Sequence, residues 1–174
     1  MKISLKKKRN NLMFCAGLTA IAVGLAILGY FGYNKISREI YKKKLLETSI
    51  VFEIPDLKIK TPVLEGTDNE TLKYSAGHFS NTGDLGSGNY CIIGHNSTIY
   101  ACIFNNLKDI KTGMKMYLYS TDKTCYRYTV TAIKIINSND TYVLNDYNDN
   151  RITVITCNDD GTQRICVVGK QDME

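Results

Sequence analysis

Two apolar runs near residue 160 bring together the residue types of a thiol-dependent site. Cys157 ends the run ITVITC and Arg164 begins the run RICVV, with the six-residue loop NDDGTQ between them. If the runs pair as antiparallel strands, Cys157 and Arg164 lie opposite each other with Cβ atoms about 5 Å apart. A neighbouring cation favours the nucleophilic thiolate, and a guanidinium can donate hydrogen bonds to a developing oxyanion. The alternative is a cysteine that only fills the core.

The chain has two histidines, and both follow a glycine. His78 lies in the turn-rich stretch SAGHFSNTGD, whereas His95 comes directly after the strand-like run YCIIG. A side chain at a strand exit is held rigidly, so His95 is the candidate acid and base for a thiol nucleophile. A hydrogen-bonded structural histidine is the alternative for both residues.

Short strand-type runs separated by turn-rich stretches make up most of the chain after residue 49. Seven such runs are 50–54, 57–64, 89–93, 114–120, 125–136, 151–157 and 164–170. Two short helices are predicted at 68–77, which opens on Asp and Asn, and at 103–113, where Ile103, Phe104, Leu107 and Ile110 share one face. The pattern predicts a mainly β fold: a closed or nearly closed antiparallel-type barrel of seven or eight strands, without repeated βαβ units.

An uncharged apolar segment of 22 residues precedes this barrel, from Leu12 to Tyr33. That length suffices to cross a bilayer as a helix. Asn34 and Lys35 follow it instead of a small-residue cleavage site, so the segment is predicted to be an uncleaved anchor. The predicted organisation has four parts: a basic tail at 1–11, a transmembrane anchor at 12–33, a juxtamembrane stalk at 34–48 and a globular domain at 49–174.

The net charge of +5 comes from the N-terminal tail and not from the globular part. Five Lys or Arg precede the apolar segment, and the rest of the chain has 17 basic and 17 acidic residues. A neutral domain argues against nucleic acid as a partner, because such binding needs a concentrated basic surface. Five basic residues also follow the span closely, so charge alone does not decide the orientation in the membrane.

The six cysteines do not follow a metal-binding or disulfide pattern. They are Cys15, Cys91, Cys102, Cys125, Cys157 and Cys166, with no CxxC pair among them. A chain of this length needs no disulfides to fold. Mostly free thiols are expected, with Cys91 and Cys166 acting as apolar core residues.

Taken together, these motifs resemble the sortases, membrane-anchored cysteine transpeptidases of Gram-positive bacteria. The family pattern has a strand ending in T-[LI]-x-T-C, an arginine opening the next strand and a Gly-His ending an earlier one. Here the counterparts are ITVITC, RICVV and IIGH, in the order His, Cys, Arg. FNNLKDIKTGMKMYLY also resembles the family's F-x-x-L-x-x-I-x-x-G-D-x-I-x-L, with Lys115 where Asp is usual, and SAGHFSNTGDLGSGNYCIIGH resembles the approach to the histidine without its proline. The resemblance covers about 120 residues, from Ile54 to Lys170.

The resemblance implies a closed eight-stranded sortase barrel and a role for each residue of the constellation. Cys157 would attack the Thr–Gly bond of an LPxTG-like sorting signal and form a thioacyl enzyme. His95 would protonate the leaving amine and deprotonate the incoming one, and Arg164 would bind the substrate carbonyl or the oxyanion. His78 is not carried over as catalytic.

The resemblance also implies partners and a location. The partners would be the sorting-signal peptide of secreted surface proteins and an amine acceptor, either a peptidoglycan precursor or a pilin lysine. The protein would be a single-pass protein of the cell membrane with its catalytic domain on the extracellular face, anchoring proteins to the cell wall. No cofactor is expected; calcium, which some members bind, finds no carboxylate cluster in this sequence.

Within the family, the resemblance is to classes A, D and E more than to the pilus-building class C. It lacks the Asp-Pro-aromatic lid motif and a second, C-terminal hydrophobic segment. Class B stays open, and Asn96 stands where several classes have arginine. The motif that the site reads, LPxTG, NPxTx or another, is left open as well.

Two other functions remain as alternatives to a wall-anchoring sortase, and two further enzyme classes do not match the sequence. One is a pilin-polymerising sortase, and another is a membrane-tethered β-barrel binding module without catalysis. An L,D-transpeptidase has Gly before its cysteine and Arg two residues after it, which Thr156-Cys157-Asn158-Asp159 does not match. A papain-like peptidase places its cysteine before its histidine, the reverse of the order here.

Overall fold

The structure is a computed structural model that describes residues 2–96 and 103–173, with side chains described from residue 13 onward. Cys102 lies outside the described residues. The first element is helix α1, Lys2–Thr48. Within the described part of the chain, it contains one segment, Met13–Thr48, that is long and apolar enough to cross a membrane.

The chain divides into two compact units, residues 1–41 and 42–174. The first consists of α1 up to residue 41, and the second holds the last turns of α1 together with all eight strands. The division falls inside the predicted stalk at 34–48. The domain boundaries drawn from the sequence stay predictions.

Eight strands form a closed barrel in the second unit. They are β1 Ile50–Ile54, β2 Ile59–Glu65, β3 Ala76–His78, β4 Asn89–Gly94, β5 Lys115–Tyr119, β6 Cys125–Asn137, β7 Arg151–Cys157 and β8 Gln163–Gln171. Helix α2, Asn69–Leu72, and three 3-10 turns, Pro55–Leu57, Asn105–Asp109 and Tyr142–Leu144, connect them. The predicted mainly β barrel with short helices is confirmed.

The barrel is mixed and not purely antiparallel as the sequence predicts. Its strand order is β1-β2-β3-β4-β7-β8-β6-β5, closing from β5 back to β1. β2 pairs with β3 in parallel, and β4 pairs with β7 in parallel. The second of these pairs matters for the site, because parallel neighbours end at the same edge of a sheet.

Both predicted helices are much shorter than the sequence indicates. Asp68 caps α2, its Oδ1 accepting hydrogen bonds from the backbone N–H groups of Glu70 and Thr71. The chain then enters β3, a strand that the sequence analysis does not predict. A Cβ on Gly77 of this strand would lie 2.2 Å from the Gly66 carbonyl oxygen, so the two backbones approach too closely for any larger residue. The predicted helix at 103–113 contains one 3-10 turn, although the side chains of its apolar face are buried as predicted.

Two groups of buried side chains lie on opposite faces of the barrel wall. The interior cluster fills the barrel and includes Phe52, Ile92, Phe104, Leu107, Met116, Tyr128, Ile152 and Val154. The outer cluster consists of Ile136, Val143, Ile155 and Cys166, with Phe79, Ile93, Leu144 and Val168 packed against it. Complete burial of one large apolar side chain stabilises a fold by about 1.5–3 kcal/mol, so both clusters hold the strands in place.

The connection between β6 and β7, residues 138–150, is fastened over the outer cluster by a buried amide. The Asn89 side chain donates to the carbonyl oxygens of Val143, at 2.9 Å, and Asn145, at 2.8 Å. Its Oδ1 accepts from the Thr153 hydroxyl at 2.7 Å. These three hydrogen bonds satisfy the polar side-chain atoms of Asn89, a residue that is only 1% exposed.

Asp149, at the end of the same connection, joins β7 to β8 electrostatically. Its carboxylate binds the Arg151 guanidinium and lies 3.0 Å from Lys170 Nζ. The Arg151 hydrogen bond, with a smaller contribution from Lys170, lowers the pKa of Asp149 to about 2. The carboxylate is therefore ionised throughout the physiological range.

We expect this carboxylate to make the barrel sensitive to acid. Because its pKa is below the ordinary value of 3.8, its contribution to stability is complete above about pH 4 and is lost as the pH falls through 2. An Asp149→Asn variant should lose stability at pH 7 and show a smaller fall in melting temperature between pH 4 and pH 2. Thermal melts across that range measure it, and an unchanged acid profile would contradict the assignment.

Candidate active site

The ends of β4, β7 and the start of β8 meet at one edge of the barrel. Cys157 is the last residue of β7 and pairs directly with Arg164 in β8, as the spacing of the two runs predicts. Gly94, the last residue of β4, pairs in parallel with Thr156. One further step along both strands brings His95 next to Cys157. The three predicted site residues are thus gathered at neighbouring strand ends.

All three positions belong to the outer face of the barrel wall. Side chains alternate along a strand. Ile155 in β7 belongs to the outer cluster, and Ile93 in β4 packs against it. Two residues further along the same strands come Cys157 and His95. Arg164 is paired with Cys157 and shares its face. Each of the three side chains is half-buried, so a substrate can reach them from solvent.

Close packing fixes the exit of β4 immediately before His95. The Thr156 hydroxyl donates to the Gly94 carbonyl oxygen at 2.8 Å, and the Phe104 N–H donates to the His95 carbonyl oxygen at 3.1 Å. A Cβ on Gly94 would lie 2.6 and 2.7 Å from two ring atoms of Phe104, which is fully buried. The glycine is therefore required for the histidine to follow a strand packed this closely on Phe104.

A Gly94→Ala variant should consequently be destabilised. The added methyl group overlaps a buried ring that has no room to move, and overpacking of this kind costs about 1–3 kcal/mol. Thermal or urea unfolding measures the loss. Adding Phe104→Leu to the variant opens space for the methyl group, so the double variant should be more stable than the sum of the two single losses. A Gly94→Ala protein with the wild-type melting temperature would contradict this packing argument.

The Arg164 guanidinium is bound to its own loop in this structure. Its Nη1 donates to the carbonyl oxygens of Gly161, at 3.2 Å, and Gln163, at 3.0 Å. The loop is a tight turn in which Gly161 has a φ of +75°. Arg164 is thereby held at the mouth of the hairpin, beside Cys157.

Burial distinguishes Cys157, which is half-buried, from Cys91 and Cys166. Cys91 and Cys166 are fully buried, and burial raises the pKa of the Cys91 thiol to about 12 and that of Cys166 to about 11. These two residues pack in the core, as predicted. The five described cysteines are free thiols, and Cys125 is exposed at the start of β6.

His78 occupies a different environment from His95. It lies in β3, 5% exposed, with its ring stacked on Tyr90 at a centroid distance of 4.1 Å. Its Nδ1 lies 2.7 Å from a Glu65 carboxylate oxygen and its Nε2 lies 3.1 Å from the Thr82 hydroxyl. The structure therefore places His78 in a packed, hydrogen-bonded position and not at the strand ends that carry Cys157.

Three residues that shape the site were not singled out from the sequence as doing so. Thr156 and Phe104 hold the exit of β4, and the Asn96 side chain hydrogen-bonds the Cys157 carbonyl oxygen. Thr156 lies within ITVITC, and Phe104 has the apolar spacing of a core residue. Asn96 has no signal in the sequence beyond its place after the histidine.

The fold and the site define a β-barrel protein with a thiol, an imidazole and a guanidinium at adjoining strand ends. A family model described as "Sortase domain" matches residues 52–172, well over half of the chain. The chain belongs to the sortase family.

Relatives and solved structures similar to the chain agree with this membership. Sortase A of Bacillus anthracis is 30% identical over 118 residues, covering 67% of this chain and 56% of the relative. Sortase A of Listeria monocytogenes is 31% identical over 132 residues, covering 75% and 58%. The structure of Sortase A from Corynebacterium diphtheriae superimposes with a TM-score of 0.65 at 29% identity, over 73% of this chain and 62% of that chain.

The chain thus spans little more than half the length of these curated relatives. The Sortase A relatives support the expected likeness to class A. Structural likeness extends to sortase C-1 from Actinomyces oris, with a TM-score of 0.66 at 26% identity over 72% of this chain and 73% of that chain.

Proposed function

We propose that the chain is a membrane-anchored cysteine transpeptidase. It cleaves the Thr–Gly bond of an LPxTG-like sorting signal and transfers the new acyl group to an amine for attachment to the cell wall. The observation that carries the proposal is the direct pairing of Cys157 with Arg164 beside the strand exit that leads to His95. This arrangement lies within a barrel of the sortase family.

The first half of the reaction forms a thioester on Cys157. The thiolate attacks the threonine carbonyl carbon, and its electron pair displaces the C=O π pair onto oxygen. Arg164 donates hydrogen bonds to that oxyanion, which is stabilised most where donors are already in place. As the oxyanion collapses, the C–N bond breaks and His95 protonates the departing glycine amine, so that a neutral amine leaves.

The second half transfers the acyl group to another amine. His95, now without its extra proton, accepts one from the incoming amine as this attacks the thioester carbonyl. The C–S bond then breaks, the Cys157 thiolate departs and a new amide remains. The one imidazole serves first as acid and then as base, so the site returns to its starting protonation state.

The hydrogen bonds of Arg164 are compatible with this role. Nη1 binds the Gly161 and Gln163 carbonyl oxygens, whereas a guanidinium carries five N–H donors in a fixed fork. The other donors can serve the oxyanion while Nη1 keeps the side chain at the mouth of the hairpin. A lysine at this position has no such fork.

The apolar surface below Cys157 supports a peptide substrate with an aliphatic side chain. Phe79, Ile93, Leu144 and Val168 are half-buried around the outer cluster, on the face that Cys157 shares. The connection 138–150, held in place by Asn89, covers part of this surface with Val143 and Leu144. The leucine of a sorting signal would bury its side chain there, which contributes about 1.5–3 kcal/mol.

Location follows from the same proposal. The apolar part of α1 is the membrane anchor, with the barrel on the extracellular face where secreted surface proteins and wall precursors are available. Those proteins and an amine acceptor are the proposed partners. The domain boundaries at residues 11, 33 and 48 are part of this proposal.

Mass spectrometry of the detergent-solubilised full chain tests the proposal. The protein is incubated with peptides carrying LPxTG and NPxTx motifs, and then with either a glycine-type amine or a lysine side-chain amine. An acyl adduct on Cys157 and an amine-exchanged product are the expected results. Preference for the lysine amine would indicate pilin polymerisation instead of wall anchoring. Absence of any adduct with every peptide would leave a non-catalytic binding module as the better function.

A further inference from the structure

The side-chain amide of Asn96 bridges the two halves of the site. Its Nδ2 donates to the carbonyl oxygen of Cys157 and to Oδ1 of Asp159, both at 3.1 Å. A primary amide nitrogen carries two hydrogens. One is therefore available for the main chain of the thiol residue and the other for the loop that follows it.

This bridge begins where the backbone pairing of β4 and β7 ends. The parallel register runs from Asn89–Arg151 to Gly94–Thr156 and stops one residue before His95 and Cys157. Thr156 reinforces the last pair through its 2.8 Å bond to Gly94. Beyond that pair, the Asn96 bond to Cys157 is a direct link between the two strand exits. The separation of the imidazole and the thiol consequently depends on a side chain and not on the backbone ladder.

Asp159 is a strong acceptor for this amide at neutral pH. Chiefly the Asn96 hydrogen bond, and then the charge of Lys108, lower the pKa of Asp159 below its ordinary range. Lys108 Nζ lies 3.5 Å from Asp159 Oδ2, but both side chains are more than half exposed. Exposed pairs of this kind contribute little. The hydrogen bond from Asn96 is therefore the main interaction that holds the Asp159 side chain in place.

We propose that Asn96 is a positioning residue that sets the distance between His95 and Cys157 and fastens the loop between Cys157 and Arg164. The inference rests on the proposed function, in which His95 and Cys157 are the reacting pair. Asn96 acts through the Cys157 carbonyl oxygen and Asp159, and it does not touch the substrate. Without it, the exits of β4 and β7 separate beyond their last backbone pair.

The decisive measurement is the alkylation of Cys157 by iodoacetamide as a function of pH, followed by peptide mapping on the detergent-solubilised full chain. It needs no sorting peptide, and it reports the coupling of the thiol to the imidazole, which packing stability alone does not change. The alkylation profile of the wild type should differ from that of His95→Ala. Asn96→Leu keeps the branching of the side chain at Cγ and removes both hydrogen bonds, so its profile should move toward that of His95→Ala. Asn96→Ala serves as the second variant if the leucine protein does not fold.

With a sorting peptide, both Asn96 variants should lose about tenfold to a hundredfold in kcat, because misplacement of a catalytic group by about 1 Å has an effect of that size. KM should stay within about threefold, because Asn96 does not touch the substrate. The matched control is Asp160→Asn in the same loop: Asp160 is exposed and binds Thr162. This control should have wild-type kcat and alkylation profile.

A double-mutant cycle separates the two bonds of Asn96. Asp159→Ala should lower kcat less than Asn96→Ala, because it leaves the bond to the Cys157 carbonyl oxygen intact. In the Asn96→Ala background, Asp159→Ala should have no further effect. If the losses in kcat from the two substitutions were fully additive, Asn96 and Asp159 would act independently and the bridging role of Asn96 would be wrong.

Failure of this inference is distinguishable from failure of the proposed function. If the wild-type alkylation profile does not respond to His95→Ala, the proposed reacting pair is wrong and the positioning role falls with it. If it does respond, but folded Asn96→Leu and Asn96→Ala proteins retain the wild-type profile and kcat, only the positioning role is wrong. An equal loss in Asp160→Asn would also overturn it.

Discussion

Replacing Cys157 with alanine should abolish acyl-enzyme formation with every sorting peptide. Alanine has no nucleophile, and loss of the nucleophile lowers the turnover of an enzyme with covalent catalysis by about three orders of magnitude or more. Cys157 is half-buried at a strand end, so the smaller side chain should leave the fold intact. Mass spectrometry after incubation with peptide should show no mass shift, and product formation should fall to background.

Two other cysteines provide matched controls for this change. Cys125 is exposed at the start of β6, so Cys125→Ala should retain the wild-type rate of acylation. Cys166 is fully buried in the outer cluster, so Cys166→Ala should lower the melting temperature while the folded enzyme still acylates. An acyl adduct that persists in Cys157→Ala would eliminate Cys157 as the nucleophile.

The pairing of Cys157 with Arg164 could be predicted because it is local. The six residues between them and the strand character of both flanking runs determine which residues face each other across a hairpin. The place of His95 depends instead on the parallel pairing of β4 with β7, whose paired residues, such as Asn89 and Arg151, are 62 positions apart in the chain. No local pattern encodes that pairing, and the family resemblance supplied only the role of His95 without it.

The features that the sequence analysis missed depend on tertiary contacts. β3 has three residues, too few for an alternating pattern. It forms because all three pair with β2 on one side, while Gly77 and His78 pair with β4 on the other. The run at 103–113 has helical spacing, yet the packing of Phe104 on Gly94 and Phe52 leaves only one 3-10 turn. The sequence predicted which side chains of this run are buried, but it did not predict the conformation of the backbone.

A His95→Ala variant should lose acylation of an amide substrate by about a hundredfold to ten thousandfold, the usual contribution of a positioned acid or base. The amine leaves only if it is protonated as the C–N bond breaks. A substrate in which an ester replaces the Thr–Gly amide releases an alkoxide, a better leaving group than an amide anion. The loss on the ester should therefore be much smaller than the loss on the amide. Stopped-flow or mass-spectrometric acylation rates on the matched peptide and ester give the ratio.

The ratio of amide to ester rates distinguishes a loss of proton transfer by His95 from a general disturbance of the fold. Cys157→Ala should abolish both reactions, because both need the nucleophile. His78→Asn removes the other histidine, whose ring stacks on Tyr90 and whose nitrogens lie within hydrogen-bonding distance of Glu65 and Thr82. That variant should melt at a lower temperature, but its amide-to-ester ratio should equal that of the wild type, because a histidine packed in this way transfers no proton at Cys157. If His95→Ala slows the ester as much as the amide, His95 is not the acid that releases the amine.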